Sequence, residues 1–148
     1  MKGGPLANQD SFYFADDKIR SSPGGSAPQG GVLALLADMG MATRLVQAAK
    51  NLHLPVKILD EAETLLTCAE QTRPGLIILD WDAKEQEAYK LVKAMADRET
   101  LRRIPTVGFV SQGKSALKEE AQRAGCDRVL GKTEFIRTLH DILMRHGK

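Results

Sequence analysis

Aromatic residues are scarce in this chain, with one Trp, two Tyr and four Phe among 148 residues, and cysteine is scarcer still. Cys68 and Cys126 stand far apart with no metal-ligand spacing around them, which excludes a disulfide framework and a zinc motif and leaves two reduced, buried thiols as the expectation. No apolar run approaches the ~20 residues of a membrane span, and the N-terminus lacks the apolar core of a signal peptide. A cytoplasmic protein with no membrane partner is therefore expected. Charge of one sign is also missing. Lys and Arg number 21 against 19 Asp and Glu, interleaved to a net +2, so no basic block exists to grip nucleic acid. There is no nicotinamide-type glycine fingerprint, and "DMGMATR" after the first apolar run is a poor phosphate cradle for a flavin. His53, His140 and His146 are unclustered, and none is assigned a role.

What is present divides the chain unevenly. Residues 1–30 are rich in Gly, Pro, Ser, Asn and Gln, and "SSPGGSAPQGG" reads as a flexible N-terminal tail that cannot bury enough surface to fold alone. Within it "SFYFADD" gathers Phe12, Tyr13 and Phe14, three of the few aromatics in the chain. Such a segment is an upstream extension, a tail strapped to its own domain, or a short docking motif for a partner. Residues 31–148 form the folded domain.

From Gly31 onward the hydrophobic period alternates between two kinds. "VLALLA" (32–37) is the continuous apolar run of a strand covered on both faces. Met41, Leu45, Ala48 and Leu52 follow at helical spacing. "VKIL" (56–59) is strand-like, and Ala62, Leu65, Leu66 and Ala69 form a helical stripe behind the cap candidate Asp60. "LIIL" (76–79) precedes the stripe Ala88, Leu91, Val92 and Met95. "TVGFV" (106–110) precedes Leu117, Ala121 and Ala124, a helix ended by Gly125. "RVL" (128–130) is the fifth strand, and the last helix carries Phe135, Leu139, Ile142 and Leu143 behind Thr133 as its cap. Five strands alternating with five helices predict an α/β fold: one five-stranded parallel sheet, doubly wound, in three αβα layers. Ligands in such sheets bind beyond the carboxyl ends of the strands. Those ends carry Asp38, then Asp80 and Asp82, then Ser111, then Lys132. Asp60, after the second strand, is accounted for as a cap, and Trp81 is expected to be a partly exposed lid beside the site.

An acid after strand one, "LDWD" after strand three, a hydroxyl after strand four and a lysine after strand five resemble the receiver domain of two-component response regulators, a CheY-like, flavodoxin-like (βα)5 fold with strand order 2-1-3-4-5. The resemblance covers Gly31 to about His146. It implies a signalling domain rather than an enzyme. Asp80 would be the phosphoacceptor, taking a phosphoryl group from a phosphohistidine on a sensor histidine kinase or phosphotransfer protein. Mg²⁺ would be held by Asp38, Asp80 and the backbone carbonyl of Asp82. Lys132 would contact the phosphoryl oxygens as a point charge, and Ser111 would bond one of them and draw its loop inward. No DNA-binding module follows the fifth helix, so output would pass through a downstream protein partner. The family's usual face would carry Lys114, Lys118, Arg128, Thr133 and Arg137 here, in a monomer or weak dimer.

The chain also departs from the family pattern. Asp38 stands alone between Ala37 and Met39 where receivers carry adjacent acids, which weakens Mg²⁺ binding. "AKEQEAY" replaces the usual loop after the acceptor and brings Lys84 near the site. The switch aromatic three residues before the lysine is Val129, and Thr133 replaces the usual proline after it. The Asp82 side chain is expected to be solvated or to compensate Lys84, and Lys132 to be able to pair with Asp80. These departures resemble stand-alone receiver-like proteins with degenerate acid pockets. Two readings stand: a receiver phosphorylated on Asp80 with Mg²⁺, and a pseudo-receiver acting as a phosphorylation-independent interaction module.

Overall fold

A computed structural model describes residues 31–146; the "SFYF" tail segment lies outside the described residues. Strand and helix alternate along the chain as β1 (Val32–Leu35), α1 (Met39–Asn51), β2 (Val56–Leu59), α2 (Ala62–Thr72), β3 (Leu76–Asp80), α3 (Glu85–Ala96), β4 (Thr106–Val110), α4 (Ser115–Ala124), β5 (Arg128–Gly131) and α5 (Lys132–His146). The strands form one sheet in the order β2-β1-β3-β4-β5, every neighbouring pair parallel. The expected doubly wound sheet is therefore present.

Alternation along each strand sorts the core into two layers, because successive side chains in a strand point to opposite faces. Val32, Ala34, Leu76, Ile78, Val107 and Phe109 pack with Met41, Leu45, Phe135, Leu139 and Leu143, so α1 and α5 cover one face. Leu33, Leu35, Ile77, Leu79 and Val129 pack with Leu65, Leu66, Leu91, Val92 and Ala121, so α2, α3 and α4 cover the other. All five residues of β3 and all five of β4 are buried, which is why, Asp80 and Thr106 apart, these strands read as apolar runs. Both cysteines are buried and neither is in a disulfide, as expected.

Several boundaries differ from the expected ones, β3 and β5 each running one residue further, to Asp80 and Gly131. β1 ends at Leu35 rather than at 37, because Leu36 makes a last bond to Leu59 and the chain then turns to bring Asp38 into position as the cap of α1. Asp60 does not cap α2. The residue before that helix is Glu61, whose side chain makes no capping bond, and Glu87 of α3 reaches across to accept the Ala62 N–H at 2.8 Å. Thr133 does not cap α5 either: β5 runs to Gly131, the helix starts at Lys132, and Thr133 already lies inside it.

Candidate functional site

The strand ends of this topology gather the polar groups at one edge of the sheet. Asp80 is the last residue of β3, the central strand, and is 1% exposed. Its Oδ1 accepts the N–H of Asp82 at 3.1 Å and of Ala83 at 2.9 Å, and its backbone carbonyl accepts the Lys84 N–H that opens α3. Burial pushes the Asp80 carboxyl above the ordinary value of 3.8, against the pull of the Ala83 and Ala37 N–H groups, while the neighbouring Asp82 charge adds to the rise.

Asp38 is used twice. Oδ1 accepts the N–H groups of Gly40 at 2.9 Å and Met41 at 3.2 Å, an N-cap on α1. Oδ2 lies 2.7 Å from Lys132 Nζ. The bond from Lys132, followed by that from the Met41 N–H, holds the Asp38 carboxyl below its ordinary value, and the same bond raises the Lys132 amine. Lys132 thus pairs with Asp38 rather than with Asp80, whose charge it still feels. The pairing also settles an awkward placement. A lysine in the first turn of α5 faces the positive end of a helix dipole, and Asp38 offsets that cost from a neighbouring helix start.

Asp82 and Ser111 form the other half of the site. Ser111 gives its N–H to Asp82 Oδ1 at 2.9 Å and its hydroxyl to Asp82 Oδ2. Lys114 Nζ stands 3.7 Å from Oδ1. Burial would raise the Asp82 carboxyl, but the two Ser111 bonds and the charges of Lys114 and Lys132 hold it low. The Asp82 side chain is therefore neither solvated nor partnered by Lys84, as the sequence had suggested. It fastens the loop after β4 to the loop after β3, and the Ser111 hydroxyl expected to face a phosphoryl group is directed to it.

Trp81 corrects another expectation. It is no exposed lid, being 1% exposed in the core beneath α3 and α4. Its indole packs against Gly108 in mid-β4, where a Cβ would come within 2.4 Å of the ring atoms Cδ1 and Nε1, close to Cys126 Sγ. A glycine inside a strand marks such a close approach, and that was the signal in the sequence. Val129 is likewise buried in this layer, so no aromatic stands at its position to swing outward.

The acidic groups do not form a cation cage. Mg²⁺ demands near-octahedral oxygen ligands, yet both Asp38 oxygens already have partners, Asp82 turns its carboxylate to Ser111, and among the described residues no three acidic, His or Cys side chains converge as metal ligands. As arranged, the side chains alone make no cage, and of the expected ligands Asp80 and the Asp82 backbone carbonyl remain to hold Mg²⁺.

No protein-family model matches the chain, and no curated protein matches it in sequence. Solved structures do match. The receiver domain of a sensor histidine kinase from Pseudomonas aeruginosa PAO1, described with magnesium coordinated in its active-site cleft, superposes with a TM-score of 0.68 at 19% identity, covering 80% of this chain and 97% of that one. A response regulator of Chloroflexus aurantiacus J-10-fl, described as putative, gives 0.66 at 21% identity over 79% and 99%. The chemotaxis protein CheY4 of Vibrio cholerae gives 0.67 at 19% identity over 80% and 98%. These likenesses establish the receiver fold.

Proposed function

We propose that this chain is a receiver-fold signalling module that acts through protein contact, with its acid pocket held closed by its own lysine. The observation that carries this reading is the 2.7 Å bond from Lys132 to Asp38. Phosphoryl transfer relies on positioned charge, so in a receiver the lysine and the first acid would turn to the incoming group and its cation. Here the two neutralise each other, Asp38 is further committed to capping α1, Ser111 is committed to Asp82, and Asp80 is buried. The partner class is that of two-component signalling, a sensor histidine kinase or phosphotransfer protein met as a docking surface, or a downstream protein. Lys114, Arg128, Thr133 and Arg137 are exposed and available for such contact.

A second reading, phosphorylation of Asp80, is favoured by one observation: Asp80 ends the central strand within reach of the Lys132 charge. Intact-mass measurement after incubation with acetyl phosphate and Mg²⁺ separates the two. The closed-pocket reading expects no phosphoryl adduct. An adduct of one phosphoryl group that disappears in Asp80→Asn would establish the second reading instead.

A further inference from the structure

A cavity of about 650 Å³ opens between α3 and α4. Trp81 forms its floor, Tyr89 and Leu117 its apolar walls, and Lys90, Lys93 and Arg123 its basic rim. Tyr89 is 48% exposed, one of few large apolar side chains left open among the described residues. Lys93 lies over its ring, 5.3 Å from the centroid, and has no carboxylate partner among the described residues. Glu85 and Glu120 also line the cavity, and Lys90 and Arg123 already face Glu87 and Glu119, so the rim is of mixed charge and Lys93 is the cation left for an incoming carboxylate.

We propose that this groove is the docking site for the chain's own segment "SFYFADD", residues 11–17, with Phe12 or Phe14 entering between Tyr89 and Leu117 and Asp16 or Asp17 meeting Lys93. Three features of the molecule converge on this occupant. The segment pairs aromatics with adjacent carboxylates, the complement of an apolar groove with Lys93 at its rim. It supplies aromatic surface in a chain that has little elsewhere. Its tether is also long enough. The about 16 residues between Phe14 and Gly31 span up to ~55 Å when extended, whereas a domain of about 100 residues has a radius of gyration of ~13 Å. Every face of the domain is therefore within reach, and a covalent tether of this length gives an effective concentration in the millimolar range. Weak contacts suffice at that concentration.

The test uses the full chain with p-benzoyl-phenylalanine in place of Phe14. Photolysis followed by peptide mapping is expected to give cross-links within one molecule to α3 and α4, reduced several-fold by the charge reversal Lys93→Glu. Hydrogen exchange is measured in parallel on the full-length Phe12→Ala, Tyr13→Ala, Phe14→Ala variant, whose substitutions lie outside the folded core. Faster exchange in α3 and α4 than in the wild type supports the proposal. Cross-links that map elsewhere or join two molecules overturn it, as does unchanged exchange in both helices.

Discussion

Lys132 and Asp38 are 94 positions apart in the chain, yet Nζ and Oδ2 meet at 2.7 Å because β5 and β1 deliver the starts of α5 and α1 to the same edge of the sheet. Each group answers a need of the other. The lysine at the start of α5 requires a counter-charge, and the cap of α1 leaves one aspartate oxygen to supply it.

Two substitutions separate the roles of Asp38. Asp38→Asn keeps an oxygen for the Gly40 and Met41 N–H groups and loses the ion pair; with both side chains more than a third exposed, that costs about 0.5 kcal/mol. Asp38→Ala loses the cap as well, adding about 1 kcal/mol. Urea denaturation of the two variants checks the difference.

Asp80 behaves in the opposite sense. Its folded-state pKa is raised, so the buried charge costs stability above the ordinary value of 3.8, and the cost disappears as pH falls through the raised value. Asp80→Asn retains an acceptor for the Asp82 and Ala83 N–H groups without the charge. It is expected to stabilise the domain near neutral pH by about 1 kcal/mol, a rise of about 4 °C in Tm. Calorimetry that shows a lower Tm would count against a merely buried carboxylate.

The pH profile follows from these signs. Asp38 and Asp82 have lowered values, so their contributions are complete above 3.8 and are lost as pH falls through the lower folded values. Lys132 is raised, so its contribution is complete below 10.5 and is lost as pH rises through its higher folded value. The Asp80 cost works against the acids. Lowering the pH from neutrality through the raised Asp80 value is therefore expected to stabilise the wild type relative to Asp80→Asn, with both losing stability as Asp38 and Asp82 protonate below 3.8. Thermal melts at matched ionic strength measure this.

Gly108→Ala tests the burial of Trp81. The added Cβ meets a rigid ring held between the sheet and two helices, so the expected cost is about 2 kcal/mol, with a shift in the emission of the chain's single tryptophan. An unperturbed spectrum and wild-type stability would place the indole elsewhere.

Much of the fold was legible because buried parallel strands and one-sided helices impose distinct periods, and all ten elements appear where "VLAL", "LIIL" and the helical stripes place them. The misses share a cause. Asp60 and Thr133 were read as caps from local sequence, but the start of α2 is capped by Glu87, 25 residues further along, and α5 begins too abruptly after β5 to leave room for a cap. At the site, the sequence identified Asp38, Asp80, Asp82, Ser111 and Lys132 as neighbours, and the topology brings them to one edge. It did not reveal which would bond to which. The pairings Asp38 with Lys132 and Asp82 with Ser111 depend on the approach of loops distant in sequence, and the burial of Trp81 depends on Gly108 in another strand.

The central claim is that the pocket is closed by its own residues. Its most direct test is a ¹H–¹⁵N NMR titration of the full chain with millimolar Mg²⁺ and beryllofluoride, a phosphoryl mimic, following the amides of Asp82, Ala83 and Ser111. The closed pocket predicts no saturable shift at these positions. Saturable shifts of all three amides, abolished in Asp80→Asn, would contradict it and show an acceptor site that Lys132 does not block.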